Sequence, residues 1–401
     1  MKNTYKILVT ITGAVMMLCA GVLYLWSVFQ PHVVAYYGWS PSDVSMTSAI
    51  MIACFVLGNI GAGLVQALIP PKFVAIFGSV LFSLGLYLSS TLGSGNPYLL
   101  YLTYGILGGI SCGLIYSVVL AVLHKWFAAR MGFITGISVG FFGLSAVIFS
   151  PVIEALIVEF NPPGAFRILS IVFFVVLLLC SLTLKNPNKD YYYSEITKSI
   201  DIEFVKQFRP REMLGSISYY YIVISTIASS AAYLVIVPFI STIAISRGMS
   251  PYHALITVMG TGIASAMGRI LAPMLSDKTS RTGMIVSCAI VSGTACLLII
   301  KATGVLYTVA VFLIAMAYGG VGGTNPVITT ELFGARYSGA NYGLIMLSII
   351  FSSLVFGRLS AAFSNTGDYS LMFVICAILC IVPLVMMSLL RLHCKKIGKK
   401  I

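Results

Sequence analysis

One arginine lies inside an apolar stretch of the sequence, and a charged turn follows it. Arg269 stands eight residues before Asp277, within the turn Ser276–Arg281. At the rise of a helix this separation is about 12 Å. A guanidinium binds a carboxylate through two parallel hydrogen bonds. Arg269 therefore predicts an anion site, and the turn after it carries the charged residues Asp277, Lys278 and Arg281. The alternative is that the Arg269 side chain reaches the nearby end of the apolar stretch.

The composition is that of a membrane protein. Of the 401 residues 59% are hydrophobic and 9% are charged, whereas a soluble domain carries about 25% charged residues. The apolar runs are long and continuous rather than alternating, which excludes a β-barrel. An arginine at depth in a bilayer costs about 2.5–3.5 kcal/mol, so Arg269 is a functional candidate. The nine cysteines include no CxxC, and we expect neither a disulfide framework, a metal site nor a cofactor.

Twelve apolar runs are long enough to span a membrane. They are approximately 6–29, 43–67, 71–91, 98–123, 131–157, 165–185, 214–241, 252–274, 282–301, 304–329, 337–363 and 369–391. We predict an all-α polytopic membrane protein with an N-terminal six-helix bundle (1–185), a cytoplasmic central loop (186–211) and a C-terminal six-helix bundle with a basic tail (212–401). The hydrophobic and charged residues at 200–208 are compatible with a short interfacial helix or with an ordinary linker.

The basic residues give the orientation. With a cytoplasmic N-terminus, all but five of the 24 Lys and Arg fall in cytoplasmic segments, as the positive-inside rule requires. The five are Arg167, Arg247, Arg269, Lys301 and Arg358. We predict a multi-pass plasma-membrane protein with both termini in the cytoplasm. The net charge of +13 is dispersed over short loops, which favours the lipid bilayer as partner and excludes nucleic acid.

Two patterns recur between the halves. Tyr104-Gly105-x-x-Gly108-Gly109 recurs 214 residues later as Tyr318-Gly319-x-x-Gly322-Gly323. Phe127-x-Ala129-Arg130 recurs 206 residues later as Phe333-x-Ala335-Arg336. Parallel six-helix repeats of this kind are typical of carriers that bind their substrate near the middle of the membrane, between the repeats.

The charged turn resembles a family signature. Asp277-Lys278-x-x-Arg281 is similar to the loop G-x-x-x-D-R-x-G-R-R of the major facilitator superfamily, in which the acid and the bases can join helix ends on the cytoplasmic side. The corresponding first-half segment, 67–72, lacks the aspartate and the first arginine. The resemblance implies the major facilitator fold, and it implies a cytoplasmic gate formed by Asp277, Lys278 and Arg281.

Within that superfamily the whole chain resembles the oxalate/formate antiporter family. The matching motifs are Tyr24-x-Trp26-Ser27-Val28-Phe29, Gly38-Trp39-Ser40, Trp126-Phe127, Glu212-Met213-Leu214 and Asn341-Tyr342-Gly343. The resemblance implies transport of small carboxylates by alternating access. The family's oxalate transporter is known for an arginine in the eighth span and a lysine in the eleventh. Arg269 matches the arginine, but residues 341–357 contain neither Lys nor Arg, and the role of Arg358 stays open.

One cation matches one carboxylate, because a second anionic group brought into an apolar site would be poorly compensated. We therefore expect a monocarboxylate, such as formate, lactate or pyruvate, rather than oxalate. Exchange of oxalate for formate and export of drugs or other small molecules are the alternatives. No acid or histidine is central in a span, which favours anion exchange, or entry of a proton with the carboxylate, over a dedicated proton relay. Without a nucleophile–base or metal set, we expect no enzyme activity. We expect a functional monomer.

The other site residues follow from membership of helices that line the cavity of this fold. The candidates for substrate binding are Tyr24, Tyr116, Tyr219, Tyr220, Tyr318 and Asn325. The alternative is that these tyrosines are ordinary residues of spans and interfaces. A glycine face on the fifth span, Gly132, Gly136, Gly140 and Gly143, predicts close packing, in this fold against a helix of the other half.

Overall fold

The computed structural model describes residues 2–39, 41–66, 68–188, 191, 207–364 and 369–396, which are almost entirely helical. The helices of the first half are α1 (Lys2–Ala20), α2 (Trp26–Tyr37), α3 (Pro41–Val65), α4 (Pro71–Ser89), α5 (Tyr98–Leu100), α6 (Gly109–Trp126) and α7 (Met131–Thr183). A 3₁₀ turn, Gly21–Leu25, joins α1 to α2, and a π-helical segment, Tyr101–Gly108, joins α5 to α6.

The second half continues in the same manner. Its helices are α8 (Pro210–Leu214), α9 (Ile217–Ile236), α10 (Ile240–Ser246), α11 (Pro251–Ser276), α12 (Arg281–Ile299), α13 (Gly304–Phe333), α14 (Ser338–Ser364), α15 (Ser370–Leu379) and α16 (Ile381–Lys396). A 3₁₀ turn, Val237–Phe239, joins α9 to α10.

The predicted membrane spans are present. Within the described residues, 11 helical segments are long and apolar enough to cross a bilayer. One of them is the 53-residue helix α7, which contains the fifth and sixth predicted spans. Asn161 divides it, because its φ of 59° and ψ of 169° are not helical. Counting α7 as two spans gives twelve, so the all-helical polytopic fold is confirmed.

Span boundaries differ from the sequence prediction at both termini. The first span continues beyond Phe29 to Tyr37, where Gly38 ends α2 with a φ of 71°. The last helix continues through the predicted basic tail to Lys396. Cations in the last turn of a helix interact favourably with its negative end, so the basic residues support this extension. The segment 200–206, considered as an interfacial helix, lies outside the described residues.

Short polar caps fix the helices on both sides of the charged turn. Helix α11 begins with Pro251, and the Ser250 hydroxyl accepts the His253 N–H at 3.2 Å. Helix α12 begins after Ser280, whose hydroxyl accepts the Gly283 N–H at 3.0 Å. Such caps satisfy N–H groups that have no partner within the helix. The Ser250 cap sets the start of α11, and the Ser280 cap sets where the turn Ser276–Arg281 ends.

The chain forms two compact units. The first comprises Met1–Ala129, Phe141–Phe208 and Phe333–Leu344, and the second Arg130–Gly140, Arg209–Leu332 and Ile345–Ile401. The first unit therefore includes the start of α14, and the second includes the start of α7. Each unit has its own core. Rings pack in the first (Trp26, Phe29, Tyr104 and Phe166), and apolar side chains fill the second (Val235, Ile299, Tyr307 and Phe373).

The two units contain the same close helix contact. A side-chain carbon at Gly113 of α6 would collide with the Phe55 carbonyl oxygen of α3. A side-chain carbon at Gly319 of α13 would collide with the Ser265 carbonyl oxygen of α11. Gly113 and Gly319 are 206 residues apart, as are Phe127 and Phe333. The internal repeat therefore relates α6 to α13 with a separation of 206 residues.

This result corrects one of the two repeated patterns. The pairing of Tyr104 with Tyr318, and of the glycines that follow each, has a separation of 214 residues. The packing instead makes Gly319 the counterpart of Gly113. The two Tyr-Gly-x-x-Gly-Gly motifs are similar in sequence, but they occupy positions in α13 and in the π-helix–α6 segment that are not structurally equivalent.

Candidate functional site

Arg269 lies on the side of α11 that is opposite the exposed apolar stripe of this helix. An apolar stripe of α11 is between 43% and 52% exposed, which a bilayer would cover, and it consists of Ile263, Met267, Leu271 and Leu275. Arg269 follows Met267 by two residues and precedes Leu271 by two, so it lies on roughly the opposite side of the helix. The residue is partly buried. This position supports an anion site and not an arginine on the lipid-facing surface.

There is open space on the same face of α11. Gly262 precedes Arg269 by seven residues, or nearly two helical turns, and therefore shares its face. Gly262 is exposed, and a side-chain carbon there would have no atom within 4 Å. The face that carries the guanidinium is thus not closed by packing at Gly262.

Helix α13 touches α11 at the arginine. A side-chain carbon at Gly323 would lie 2.7 Å from the Arg269 carbonyl oxygen and 3.1 Å from its Cα. Only glycine permits this approach of the two backbones. The preceding residue, Gly322, has no atom within 4 Å of the same hypothetical carbon. A second open position therefore lies on α13, one residue before the glycine that contacts the Arg269 backbone.

Tyr318 and Asn325 occupy the face of α13 that packs against α9. The Tyr318 ring stacks on the Tyr233 ring, with centroids 4.3 Å apart and planes at 14°. The Asn325 amide donates a hydrogen bond of 3.0 Å to the Thr226 hydroxyl. Its Oδ1 is buried and has no hydrogen-bond partner among the described residues. The amide group of Asn325 therefore joins two helices, and its oxygen is available to another group.

Tyr116 lies within the first unit. It is buried, and its ring contacts those of Phe55, Phe142 and Tyr342, with centroids 5.4, 5.1 and 6.2 Å apart. Tyr342 comes from the start of α14, so this cluster includes an aromatic residue of the second half of the chain. The structure places Tyr116 in an aromatic cluster of α3, α6, α7 and α14.

The remaining tyrosine candidates differ in environment. Tyr219 is buried and the adjacent Tyr220 is 49% exposed, because neighbouring residues of a helix point about 100° apart. The structure therefore gives these two candidates different exposure, although their rings meet edge-to-face with centroids 5.1 Å apart. Tyr24 lies in the 3₁₀ turn that follows α1, and Arg358 lies in α14. Their side chains are outside the described ones.

The carboxylate of Asp277 binds the start of helix α7. It accepts the backbone N–H groups of Gly132 and Phe133 at 3.0 and 2.8 Å. A helix start carries unpaired N–H groups and a partial positive charge, which a carboxylate stabilises. Asp277 also pairs with Arg281 at 2.7 Å. The charged turn thus joins a first-half helix to a second-half helix, within the second unit.

Arg281 is the centre of a larger network. Its guanidinium donates to the Glu331 carboxylate, with a shortest distance of 2.7 Å, and to the Ser276 hydroxyl at 2.6 Å. Its side chain is only 9% exposed, so Glu331 and Asp277 neutralise a buried charge. Lys278 is exposed and forms no ion pair with any described residue. The structure therefore places Asp277 and Arg281 at one centre, and Lys278 outside it.

The glycine face at the start of α7 packs against α11. A side-chain carbon at Gly132 would collide with the Pro273 carbonyl oxygen, and one at Gly136 would lie 2.6 Å from that of Ile270. One at Gly140 would collide with the Ile270 side chain. These contacts end one residue from Arg269 along α11. Gly143 lies further along α7, in the first unit, and is partly buried.

Sequence reasoning missed Glu331 and Thr226. Glu331 stands two residues before Phe333, and its counterpart 206 residues earlier is Lys125. The opposite charges at corresponding positions were a usable signal for Glu331. Thr226 offered none, because a threonine within an apolar span usually bonds to its own helix, as Thr226 also does with the Ile222 carbonyl at 2.8 Å. Among the described residues no group of three or more His, Cys, Asp or Glu is placed to hold a metal ion.

Comparison with known proteins identifies the family and the fold of this chain. Residues 10–357 match the family model described as Major Facilitator Superfamily. Two solved transporters have the same fold. FucP gives a TM-score of 0.72 at 14% identity, covering 96% of this chain and 99% of its own. The proton:xylose symporter XylE gives 0.71 at 14% identity, covering 100% and 98%.

Curated relatives cover most of the chain at low identity. The uncharacterized MFS-type transporter YhjX of Escherichia coli is 26% identical, covering 83% of this chain and 82% of its own length. The oxalate:formate antiporter of Oxalobacter formigenes is 21% identical, covering 91% and 87%. Human monocarboxylate transporter 12 is 24% identical, covering 96% and 79%. These names and the family are those of transporters, not of enzymes.

Proposed function

The chain belongs to the Major Facilitator Superfamily and is a multi-pass membrane transporter, and we propose that it carries small monocarboxylate anions such as formate, lactate or pyruvate. The position of Arg269 carries the proposal. It lies on the side of α11 opposite the exposed apolar stripe, on the face that also carries the open position at Gly262. A guanidinium there binds one carboxylate in a bidentate manner. Two relatives are named for carboxylate transport, the oxalate:formate antiporter and monocarboxylate transporter 12.

Oxalate is the alternative substrate, because one of these relatives is named for it. Oxalate carries two carboxylates, and the second would need another cation in an apolar environment. Residues 341–357 of α14 contain neither Lys nor Arg. With Arg269 as the cation of the site, a single carboxylate is the better match.

The Asp277 contact gives a mechanism for alternating access. Its carboxylate holds the start of α7 against the end of α11, on the side that the Lys and Arg distribution predicts to be cytoplasmic. Opening toward the cytoplasm then requires Asp277 to release Gly132 and Phe133. The same distribution supports a plasma-membrane protein with cytoplasmic termini.

The positions of the acidic residues, near the ends of the predicted spans, do not favour a proton relay through the membrane. They support coupling by anion exchange, or by entry of a proton with the substrate. Glu154 is the acid closest to the interior of a span, and His32 pairs with it at 3.1 Å. Both side chains are substantially exposed, at 51% and 34%. A proton relay through the membrane uses ionisable groups within the bundle interior, whereas this pair lies in an exposed position.

Counterflow in liposomes tests the proposal. The purified protein is reconstituted with unlabelled formate, L-lactate, pyruvate or oxalate inside, and uptake of the same labelled anion is measured. We expect uptake driven by at least one monocarboxylate, with oxalate inactive. Uptake driven by oxalate alone would assign the oxalate/formate alternative, and no uptake of any of the four would overturn the carboxylate assignment.

A further inference from the structure

The seventh span is interrupted near the end that the Lys and Arg distribution predicts to lie outside the cell. Helix α9 ends at Ile236, and the 3₁₀ turn Val237–Phe239 leads into the short helix α10 (Ile240–Ser246). Pro238, within the turn, has no N–H group and so cannot bond to the carbonyl one helical turn earlier. Interrupted spans are a recurring feature of transporters. The turn therefore provides a hinge about which α10 can move relative to α9.

The far end of α10 fixes the position of Arg247. Gly248, with a φ of 76°, directly follows this arginine. The Gly248 N–H donates to the Ile245 carbonyl at 2.9 Å, and the Met249 N–H donates to the Ala244 carbonyl at 3.1 Å. These two bonds form a Schellman motif, which ends a helix at a defined residue and favours glycine in the left-handed position. Arg247 is therefore held in the residue position that closes α10.

The Arg247 side chain binds the end of α12. Its Nη1 donates to the carbonyls of Ile299 and Ala302 at 2.5 and 2.7 Å, and its Nη2 donates to the Ile300 carbonyl at 3.3 Å. Ile299 is the last residue of α12, and the last carbonyls of a helix have no partner within it. They carry the partial negative charge of the helix end, which a cation stabilises. We call this contact of Arg247 with the three carbonyls the outer clamp.

Tyr307 of α13 contacts both ends of α10. Its hydroxyl donates to the carbonyl of Ile240, the first residue of α10, at 2.8 Å. The guanidinium carbon of Arg247 lies 5.5 Å from the centroid of the Tyr307 ring, a separation at which a cation is attracted to the ring. Ile243 and Ala244, on the inner side of α10, are buried in the apolar core of the second unit. Helix α10 is thus held by apolar packing and by polar contacts at its two ends.

The outer clamp differs from the network around Arg281 in how readily it can be released. Arg281 is buried and pairs with two carboxylates. Arg247 is only partly buried and forms no ion pair with any described residue. Water can replace carbonyl groups around a partly exposed guanidinium at a smaller cost than that of separating a buried ion pair. Arg247 is therefore suited to bind and release.

We propose that α10 is a movable outer segment of the carrier and that the outer clamp holds it against α12 until the outer side opens. Release of Arg247 from the three carbonyls lets α10 turn about the hinge Val237–Phe239. The inference uses the alternating access of the proposed function, and it does not depend on which anion is carried. It gives the outer side a counterpart of the Asp277 contact on the cytoplasmic side.

The accessibility of a cysteine at Ala244 tests the clamp. Ala244 is fully buried, so a cysteine there reacts with a membrane-impermeant maleimide only after α10 moves. Labelling in right-side-out vesicles is compared between the parent and Arg247→Met, after subtraction of the signal of the protein without the introduced cysteine. Methionine is long and apolar but donates no hydrogen bond. We expect labelling to be about tenfold faster in Arg247→Met, the effect of one hydrogen bond that involves a charged group.

A conservative variant and two controls make the test specific. Arg247→Lys keeps the charge without the planar fork and should give an intermediate rate. Lys301 is exposed and lies between two residues of the clamp in sequence, and Lys301→Gln should leave the rate unchanged. Ser90 is buried directly after α4, and a cysteine there should stay protected in Arg247→Met. Equal increases at positions 90 and 244 would show a loosening of the whole fold and would overturn the proposal.

Alternating access supplies a readout that a purely structural role would not move. A carrier that is open to the outside for more of the time is open to the cytoplasm for less of it. Labelling of a cysteine at Phe133 from the cytoplasmic side should therefore fall in Arg247→Met, whereas general loosening would raise it. Labelling at position 244 that does not change, or that rises without a fall at position 133, would overturn the proposal. Either result would leave the carrier function standing, because counterflow tests it separately.

Discussion

The carboxylate of Asp277 accepts the backbone N–H of Gly132 at 3.0 Å, across 145 residues of sequence. The bond joins the end of α11 to the start of α7, and the Arg281 guanidinium pairs with the same carboxylate oxygen at 2.7 Å. Asp277 therefore acts as the N-terminal cap of a helix that belongs to the other half of the chain. Breaking this cap is the step that we associate with cytoplasmic opening.

Replacing Asp277 with asparagine tests this role. The amide retains an acceptor but loses the charge, which is worth about 0.3–2 kcal/mol at a helix start. We expect the start of α7 to separate from α11 more often. The measurement is labelling of a cysteine at Phe133, whose backbone N–H is retained, by a membrane-impermeant maleimide in inside-out vesicles. Labelling is expected to increase several-fold in Asp277→Asn.

The matched control for this experiment is Lys278→Gln. Lys278 is adjacent but forms no ion pair with a described residue. Its replacement is expected to leave labelling at position 133 unchanged. Equal labelling in the parent and in Asp277→Asn would argue against the cap as a gate.

Gly132 and Gly262 are expected to respond differently to alanine. A methyl group at Gly132 collides with the Pro273 carbonyl oxygen, whereas one at Gly262 meets no atom within 4 Å. Overpacking costs about 1–3 kcal/mol. We expect Gly132→Ala to lower the unfolding temperature of the detergent-solubilised protein and Gly262→Ala not to. Equal destabilisation by the two changes would contradict the close packing of α7 on α11.

Glu331 is expected to be needed for stability because Arg281 is buried. Glu331→Gln leaves that guanidinium with one carboxylate, and removal of a partner from a buried pair costs about 3 kcal/mol. Thermal unfolding in detergent measures the loss. Glu159 is exposed, so Glu159→Gln serves as the control and should have no effect. A Glu331→Gln variant as stable as the control would show that the network contributes little.

The end of the central loop is expected to hold the start of α14. The Gln207 side chain accepts the Arg336 N–H at 2.9 Å, and the Phe208 carbonyl accepts the Asn341 amide at 3.1 Å. Gly334, with a φ of 88°, leaves space for Gln207. Gln207→Ala leaves the Arg336 N–H without this partner, which is worth about 0.5–1.5 kcal/mol. Faster proteolysis near residue 336 is the expected result, and an unchanged rate would contradict it.

The spans could be predicted from the sequence, because the bilayer imposes long apolar runs whatever the packing. The residues at which the spans end could not be predicted in the same way. Asn161 separates two spans through its own backbone conformation, inside what is otherwise one long helix. The last span continues to Lys396 because basic residues are compatible with a helix end.

The site was only partly predictable for a related reason. Asp277 was recognisable from its charged neighbours, but its partners are backbone N–H groups, which any residue type supplies. Tyr219 and Tyr220 have the same chemistry, and only the rotation of α9 decides which is buried. Similarly, the equivalence of Gly113 and Gly319 depends on which carbonyl each glycine meets. The repeated sequence pattern predicted a different register.

Counterflow of L-lactate by Arg269→Gln tests the central claim most directly. Glutamine keeps hydrogen-bond donors but removes the charge that binds a carboxylate. The variant is reconstituted beside Lys301→Gln, which removes an exposed cation, with insertion of both verified. We predict that Arg269→Gln loses at least about tenfold in kcat/KM, or about 1.4 kcal/mol, while Lys301→Gln transports normally. Transport by Arg269→Gln at the rate of the unmodified protein would contradict the account.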